Sequence, residues 1–322
     1  MGCRNSIKFI IEKEIIQTES KVVVDNIKSK YILKLIFNNL QKKKYLKMVQ
    51  YNKKVQKKLN ILINHYKDCY EEIEIEIIPV KNKFGKFINI PEKEEELYFH
   101  IYFNNRSGEI QMNYLEENDE VKKIKIIIDK QVKSFHGLFS YCECIESIDF
   151  KKFHRSNIIR MSEMFYKCSS LKRINLSKFN TMNVTNMESM FFGCSLLQKL
   201  NLYSFNTNKV TTMKLMFFEC WSLKELDLSN FNTNNVKNMN SMFSWCSSLK
   251  ELDLSNFNTN NVSDMSYMFS ECSSLIELNL YSFNTNNVKH MNGMFYNCSY
   301  KLQKKKIRAR YKNIKNEAFD YK

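Results

Sequence analysis

Cys246-Ser247-Ser248-Leu249-Lys250-Glu251-Leu252-Asp253-Leu254-Ser255-Asn256-Phe257-Asn258-Thr259-Asn260-Asn261-Val262-Ser263-Asp264-Met265-Ser266-Tyr267-Met268-Phe269 is the stretch on which the chain turns. With small edits the phrase returns along residues 139–298. Its ruler is cysteine: Cys142, Cys168, Cys194, Cys220, Cys246, Cys272 and Cys298 stand 26 residues apart. A period of 20 to 50 residues that does not drift marks one supersecondary unit stacked on itself. Such a unit cannot bury its own apolar face, so its neighbours supply the core.

The unit can be read from the pattern. Leu223, Leu226 and Leu228 follow L-x-x-L-x-L, a short strand. Phe231 points inward where the strand ends. Asn232-Thr233-Asn234-Asn235 is polar and turn-forming. Val236, Met239, Met242, Phe243 and Cys246 then share one face at helical spacing, so the pattern predicts a short helix. Ser247-Ser248 turns the chain into the next strand. The expected fold class is an α/β repeat solenoid with a strand and a short helix per 26-residue coil. A helical segment and a small antiparallel β region precede it.

The phrases Met-Phe-x-x-Cys-Ser-Ser-Leu and Asn-Phe-Asn-Thr-Asn-Asn-Val resemble the BspA-like leucine-rich repeats, the bacterial surface protein 26-residue repeat, which also occurs in protists. The resemblance covers about half the chain. It implies a solenoid and a protein-binding role, and no catalytic residues.

The chain has 322 residues and a net charge of +16, unevenly spread. Residues 161–298 are almost neutral, with 11 basic against 10 acidic side chains, whereas residues 1–60 carry 15 against 4 and residues 299–322 carry 9 against 2. Basic ends attract anionic surfaces, and a neutral repeat region is not a nucleic-acid groove. The seven repeated cysteines fall at one position per coil and read as buried free thiols, which suits a reducing compartment. Cys142-x-Cys144 with His136 and His154 lacks zinc-ligand spacing.

The opening Met-Gly-Cys-Arg-Asn-Ser fits M-G-x-x-x-[ST], so Gly2 is the expected myristoylation site and Cys3 the palmitoylation site. No apolar run reaches the length of a membrane span. Two acyl chains and a basic patch, including Lys42-Lys43-Lys44, would hold the protein on the cytosolic face of a membrane. The expected localisation is cytoplasmic and membrane-associated, with the cell surface as the alternative. Residues 31–59 read as a helical hairpin. Their opening is faintly similar to the first helix of an F-box, without that family's Leu-Pro or its later Trp, so a ubiquitin-ligase adaptor is one alternative. A surface adhesin, as the bacterial relatives of the repeat imply, is another.

Four regions are expected: an acylated start and basic hairpin at 1–65, a β-rich region at 66–120, the repeats at 121–300 and a basic amphipathic helix that caps them at 301–322. Residues 73–77, 97–103 and 124–128 read as antiparallel strands. Val121–Ile128 is in phase with the repeats and is the expected capping strand of the first coil. At the C-terminus Leu302, Ile307, Tyr311 and Ile314 form an apolar face beside Lys304, Lys305, Lys306, Arg308 and Arg310.

No catalytic set stands out. Six glycines spread along the chain make no phosphate loop, and five histidines fall in no pattern with Ser or Asp. An enzyme is not expected, and no cofactor or metal is implied. The candidate site is the outward side of the strands, where alternation aims Glu225, Asp227 and Ser229 outward. Stacking lines up Arg173, Lys199, Glu225, Glu251 and Glu277, then Asp227 and Asp253, then Tyr203 and Tyr281 as aromatic anchors. The face runs from basic to acidic, and the expected partner is a protein or peptide. The recurring Asn180, Asn206, Asn232, Asn258 and Asn284 read as structural amides that satisfy buried backbone.

Overall fold

The computed structural model describes residues 53–60, 72–90, 93–129, 131–302, 307, 311 and 314–320. The chain divides into two compact units, Met1–Glu71 and Glu72–Lys322. In the first, the described residues form one helix, α1 (Lys53–Leu59), with Val55 buried. Gly2, Cys3, the Lys42–Lys44 cluster and residues 31–52 of the expected hairpin lie outside the described residues.

The second unit opens with a sheet. Its strands are β1 (Ile73–Pro79), β2 (Gly85–Lys86), β3 (Phe99–Phe103), β4 (Tyr114–Leu115) and β5 (Ile124–Ile128). Ile alternates with Glu or Lys in β1 and β5, so one face is dry: Ile73, Ile75, Ile77, Ile124, Ile126 and Ile128 are all buried. The other face is tied by ion pairs, Lys125 to Glu74 at 2.9 Å and Lys123 to Glu76 at 2.5 Å. Residues 93–98, with Leu97 exposed, form a 3-10 turn ahead of β3 rather than the start of the strand.

The repeats join this sheet through β6 (Ile145–Lys152) and β7 (Arg173–Asn175), in the order β3-β5-β1-β6-β7. Here one expectation is corrected. The strand beside the first coil is β1, not Val121–Ile128, and it runs antiparallel to β6 with Ile77 opposite Ile148. The segment Val121–Ile128 sits one strand further out, bonded on both sides by β1 and β3. Matching phase does not choose a neighbour, because an antiparallel strand buries the same alternate side chains.

From β6 onward the strands are parallel. β8 (Lys199–Leu200) pairs with β9 (Glu225–Leu226), and β10 (Glu251–Asp253) with β11 (Glu277–Asn279), each residue facing the one 26 positions later. A second line of parallel bridges, from Ser134–Arg160 to Asp264–His290, runs at the same offset along the other side of the coils. Val132 and Phe135 take up the repeat's Val and first Met columns and are buried as expected.

The expected helix in each coil is not there. Residues 236–246 form a run of turns instead. The N–H groups of Met239, Ser241, Phe243 and Trp245 donate to the carbonyls of Asp264, Ser266, Met268 and Ser270 in the next coil. Those of Met242, Ser244 and Cys246 close three-residue turns onto Met239, Ser241 and Phe243. Two residues per coil adopt left-handed φ, as at Ser241 (53°) and Trp245 (64°), or Tyr267 (57°) and Glu271 (61°). The reason is spacing. Strands stack about 4.8 Å apart and a helix with its side chains is about 10 Å wide. On the turn side the buried rings Phe165, Phe191 and Phe217 lie 5.4 and 5.8 Å apart, nearly parallel. A helix in every coil does not fit that spacing.

Inside the stack, each repeated cysteine from Cys168 to Cys298 donates its thiol to the carbonyl of the Phe 29 residues earlier, Cys246 to Phe217 at 3.2 Å for instance. Burial pushes the Cys220 and Cys298 thiols up to about 12, far from the thiolate form. The eight cysteines among the described residues are free.

Candidate functional site

The outward strand face brings the sequence-selected residues into one surface. Arg173, Lys199, Tyr203, Glu225 and Asp227 line a shallow groove of about 880 Å³. Glu225, Asp227, Glu251 and Asp253 line a second, adjoining groove of about 1010 Å³. Glu277 and Tyr281 carry the same columns into the last full coil.

Side chains here are held by local chemistry. The Asp227 Oδ1 atom accepts the Ser229 N–H at 2.9 Å, and the Asp253 Oδ1 atom accepts that of Ser255 at 2.9 Å. These backbone donors hold both carboxyls below the usual carboxylate range. Asn201 and Asn279 bond the N–H of Tyr203 and Tyr281 in the same way. The tyrosines therefore project from fixed turns, 83% and 71% exposed. Both aspartates thus serve as turn caps as well as surface groups.

The charges are partly spent within the face. Arg173 pairs with Glu146 at 3.1 Å, and Lys199 with Glu225 at 2.8 Å. Glu251 and Glu277 have no ion pair among the described residues, so the later coils keep open carboxylates. Tyr281 also meets Tyr311 of the C-terminal segment, edge-on, with centroids 5.9 Å apart.

The recurring amides behave differently from expectation. Asn206, Asn232 and Asn258 accept the N–H two residues on, at the surface of the turn. The buried polar column is the adjoining threonine: Thr181, Thr207, Thr233, Thr259 and Thr285. Each of the first four donates its hydroxyl to a backbone carbonyl of the next coil, Thr207 to Asn232 at 2.9 Å for example. Thr207 in turn accepts the Asn232 N–H at 2.8 Å. A threonine at a strict 26-residue interval was the available signal, and the sequence reading passed over it.

Residues 133–226 and 216–316 match the family described as "Mycoplasma protein of unknown function, DUF285", together more than half of the chain. The chain belongs to the DUF285 family. The matched segments contain every repeated cysteine and the whole strand face, the stretch on which the BspA-like resemblance was drawn. A leucine-rich repeat protein from Bacteroides ovatus of solved structure is 18% identical, with a TM-score of 0.31 over 56% of this DUF285 chain and 47% of its own. The match thus spans less than half of that protein, and at this score nothing of its architecture carries over. No curated protein matches the chain. Among the described residues there is no group of acidic, His or Cys side chains placed to hold a metal, and no helix long and apolar enough to cross a membrane.

Proposed function

We propose that this is a non-catalytic recognition protein whose repeats form a binding solenoid, with the outward strand face as its protein-binding surface. The observation that carries the reading is the pair of exposed tyrosines, Tyr203 and Tyr281, on capped turns beside adjoining grooves lined by charged side chains. A tyrosine offers a large contact area with few rotatable bonds, and such aromatic residues dominate binding energies. The shift from paired charges near Arg173 and Lys199 to open carboxylates at Glu251 and Glu277 favours a partner segment that is basic at one end.

The test is proximity labelling in the native cell with the full chain, wild type against a Tyr203→Ser, Tyr281→Ser double variant. The labelled protein set is expected to lose its strongest members, while Tyr141→Ser, on the turn side, leaves it unchanged. An identical set for all three chains would defeat the proposal. The membrane tether at Gly2 and Cys3 rests on the sequence pattern alone. Incorporation of a myristate analogue that Gly2→Ala abolishes would support it, and equal labelling of both chains would end it.

A further inference from the structure

On the turn side an outward column runs Tyr166, Phe192, Phe218, Ser244, Ser270, Tyr296 in steps of 26 residues. The first three rings form a stacked ladder. Tyr166 and Phe192 lie 4.5 Å apart at 28°, Phe192 and Phe218 4.7 Å apart at 24°. Those distances match the interstrand spacing of about 4.8 Å, so the ladder holds one ring per coil and nothing between. In the next two coils serine stands where the ring would be, and Tyr296 resumes the column.

The two missing rungs leave a cleft of about 450 Å³ between Phe218 and Tyr296, flanked by Trp245, Tyr267 and Glu271. Ser244 and Ser270 line it and are only 2% and 5% exposed. Neither hydroxyl is hydrogen-bonded to a described residue, so both oxygens can meet a donor that enters the cleft. The walls are built in. A Cβ at Gly293 would stand 2.5 Å from Tyr267 Cε1, so the Tyr267 ring lies directly over that glycine. Glu271 Oε2 accepts the Asn297 Nδ2 amide at 2.7 Å, which orients the carboxylate and leaves Oε1 for another donor. Among the described residues no lysine or arginine lines the cleft.

The occupant's chemistry follows. It is planar, because it takes the place of rungs in a ring ladder. It is cationic, because ring faces and one carboxylate surround it and no described residue brings a positive charge. It carries several N–H donors, because two serine oxygens and a carboxylate oxygen await them. A lysine ammonium is not planar, a neutral aromatic ring lacks the donors, and a sugar lacks the charge. A guanidinium has all three properties.

We propose that this cleft binds an arginine side chain of a protein partner. The site lies on the turn side of the coils and is independent of the strand-face reading, so either can fail alone.

The chain has two tryptophans, and Trp221→Phe makes Trp245 the sole reporter. The full chain in that background is titrated with an acetylated, amidated Gly-Arg-Gly peptide and with its lysine and citrulline counterparts, following Trp245 emission. A saturable change with the arginine peptide is expected, at least tenfold weaker with lysine or with the neutral, planar citrulline. Ser270→Phe supplies the ring that sister coils carry at Phe192 and Phe218, so the fold is kept and binding is expected to vanish. The surface change Glu271→Gln is expected to weaken binding at least fivefold, and stands as the second variant should Ser270→Phe misfold. No saturable response, equal affinity for citrulline or lysine, or undiminished binding by either variant would overturn the proposal.

Discussion

At Thr207 one hydroxyl serves two backbone groups of the following coil, donating to the Asn232 carbonyl and accepting the Asn232 N–H. Valine has the same shape and neither capability. Thr207→Val leaves both groups buried without partners and is expected to cost about 1–3 kcal/mol, read as a lowered urea midpoint. Asn232→Ala removes a bond to the exposed Asn234 N–H and is expected to cost less, about 1 kcal/mol or under. Equal losses would refute the division of labour between the two residues. Asparagine and threonine recur equally strictly in the sequence, so recurrence does not distinguish them. The buried position suits threonine, whose single hydroxyl both donates and accepts on a short stem, while an amide must place two donors and an oxygen.

The turn element raises the same question at larger scale. Val236, Met239, Met242, Phe243 and Cys246 are buried as their spacing predicted, yet the backbone beneath them is not helical. Successive tight turns with a left-handed residue every fourth position bring apolar side chains inward at spacings close to a helix's three and four. Gly137, Gly193 and Gly293 were the legible clue: each falls in one of the two left-handed columns. Their demands differ. At Gly193 the atom nearest a new Cβ is Lys167 Cδ at 2.7 Å, part of a flexible chain, whereas at Gly293 it is the Tyr267 ring. Sister coils carry ordinary residues at left-handed φ, so Gly193→Ala is expected to cost about 1 kcal/mol. Gly293→Ala displaces a ring and is expected to cost about 2–3 kcal/mol, with thermal unfolding as the measure.

The opening sheet offers a pH test at the same scale. His100 hydrogen-bonds Asp129 and Glu109, at 3.5 and 3.1 Å, and these contacts, Asp129 first, raise it to about 9 from its ordinary 6.5. Because the folded value is the higher one, the stabilisation is complete below pH 6.5 and lost as pH rises through 9. Imidazole NMR of the native protein is expected to show a midpoint near 9 that falls in Asp129→Asn. A His100 midpoint near 6.5 in the wild type would refute the pairing.

For the repeat unit as a whole, the decisive question is how a stack of identical coils ends. At the C-terminal side, residues 314–320 stand in for a missing coil. The N–H groups of Gly293 and Phe295 donate to the carbonyls of Glu317 and Ala318, and Phe319 extends the buried ring stack beyond Phe295 at 5.3 Å. Tyr311 is buried, its hydroxyl donating to the Leu278 carbonyl and accepting the Leu280 N–H. Tyr311→Phe removes both bonds, so hydrogen exchange is expected to quicken at Leu280 and across residues 277–295 while residues 145–200 keep their protection. Uniform loss of protection would show that the stack opens all at once, contrary to the nearest-neighbour behaviour of repeats. The apolar face of Leu302, Ile307, Tyr311 and Ile314 was visible in the sequence and is buried; its basic companions Lys304–Lys306, Arg308 and Arg310 lie outside the described residues.

By itself the sequence determined the 26-residue period, the inward columns and the outward strand face. Those follow from which side chains water excludes, and that property is written residue by residue. Only the tertiary structure decided that turns replace helices, that β1 rather than Val121–Ile128 adjoins the first coil, and that two absent rings open a cleft. Each of these depends on the distance between coils and on which backbone groups find partners across it, and no single copy of the repeat contains that distance.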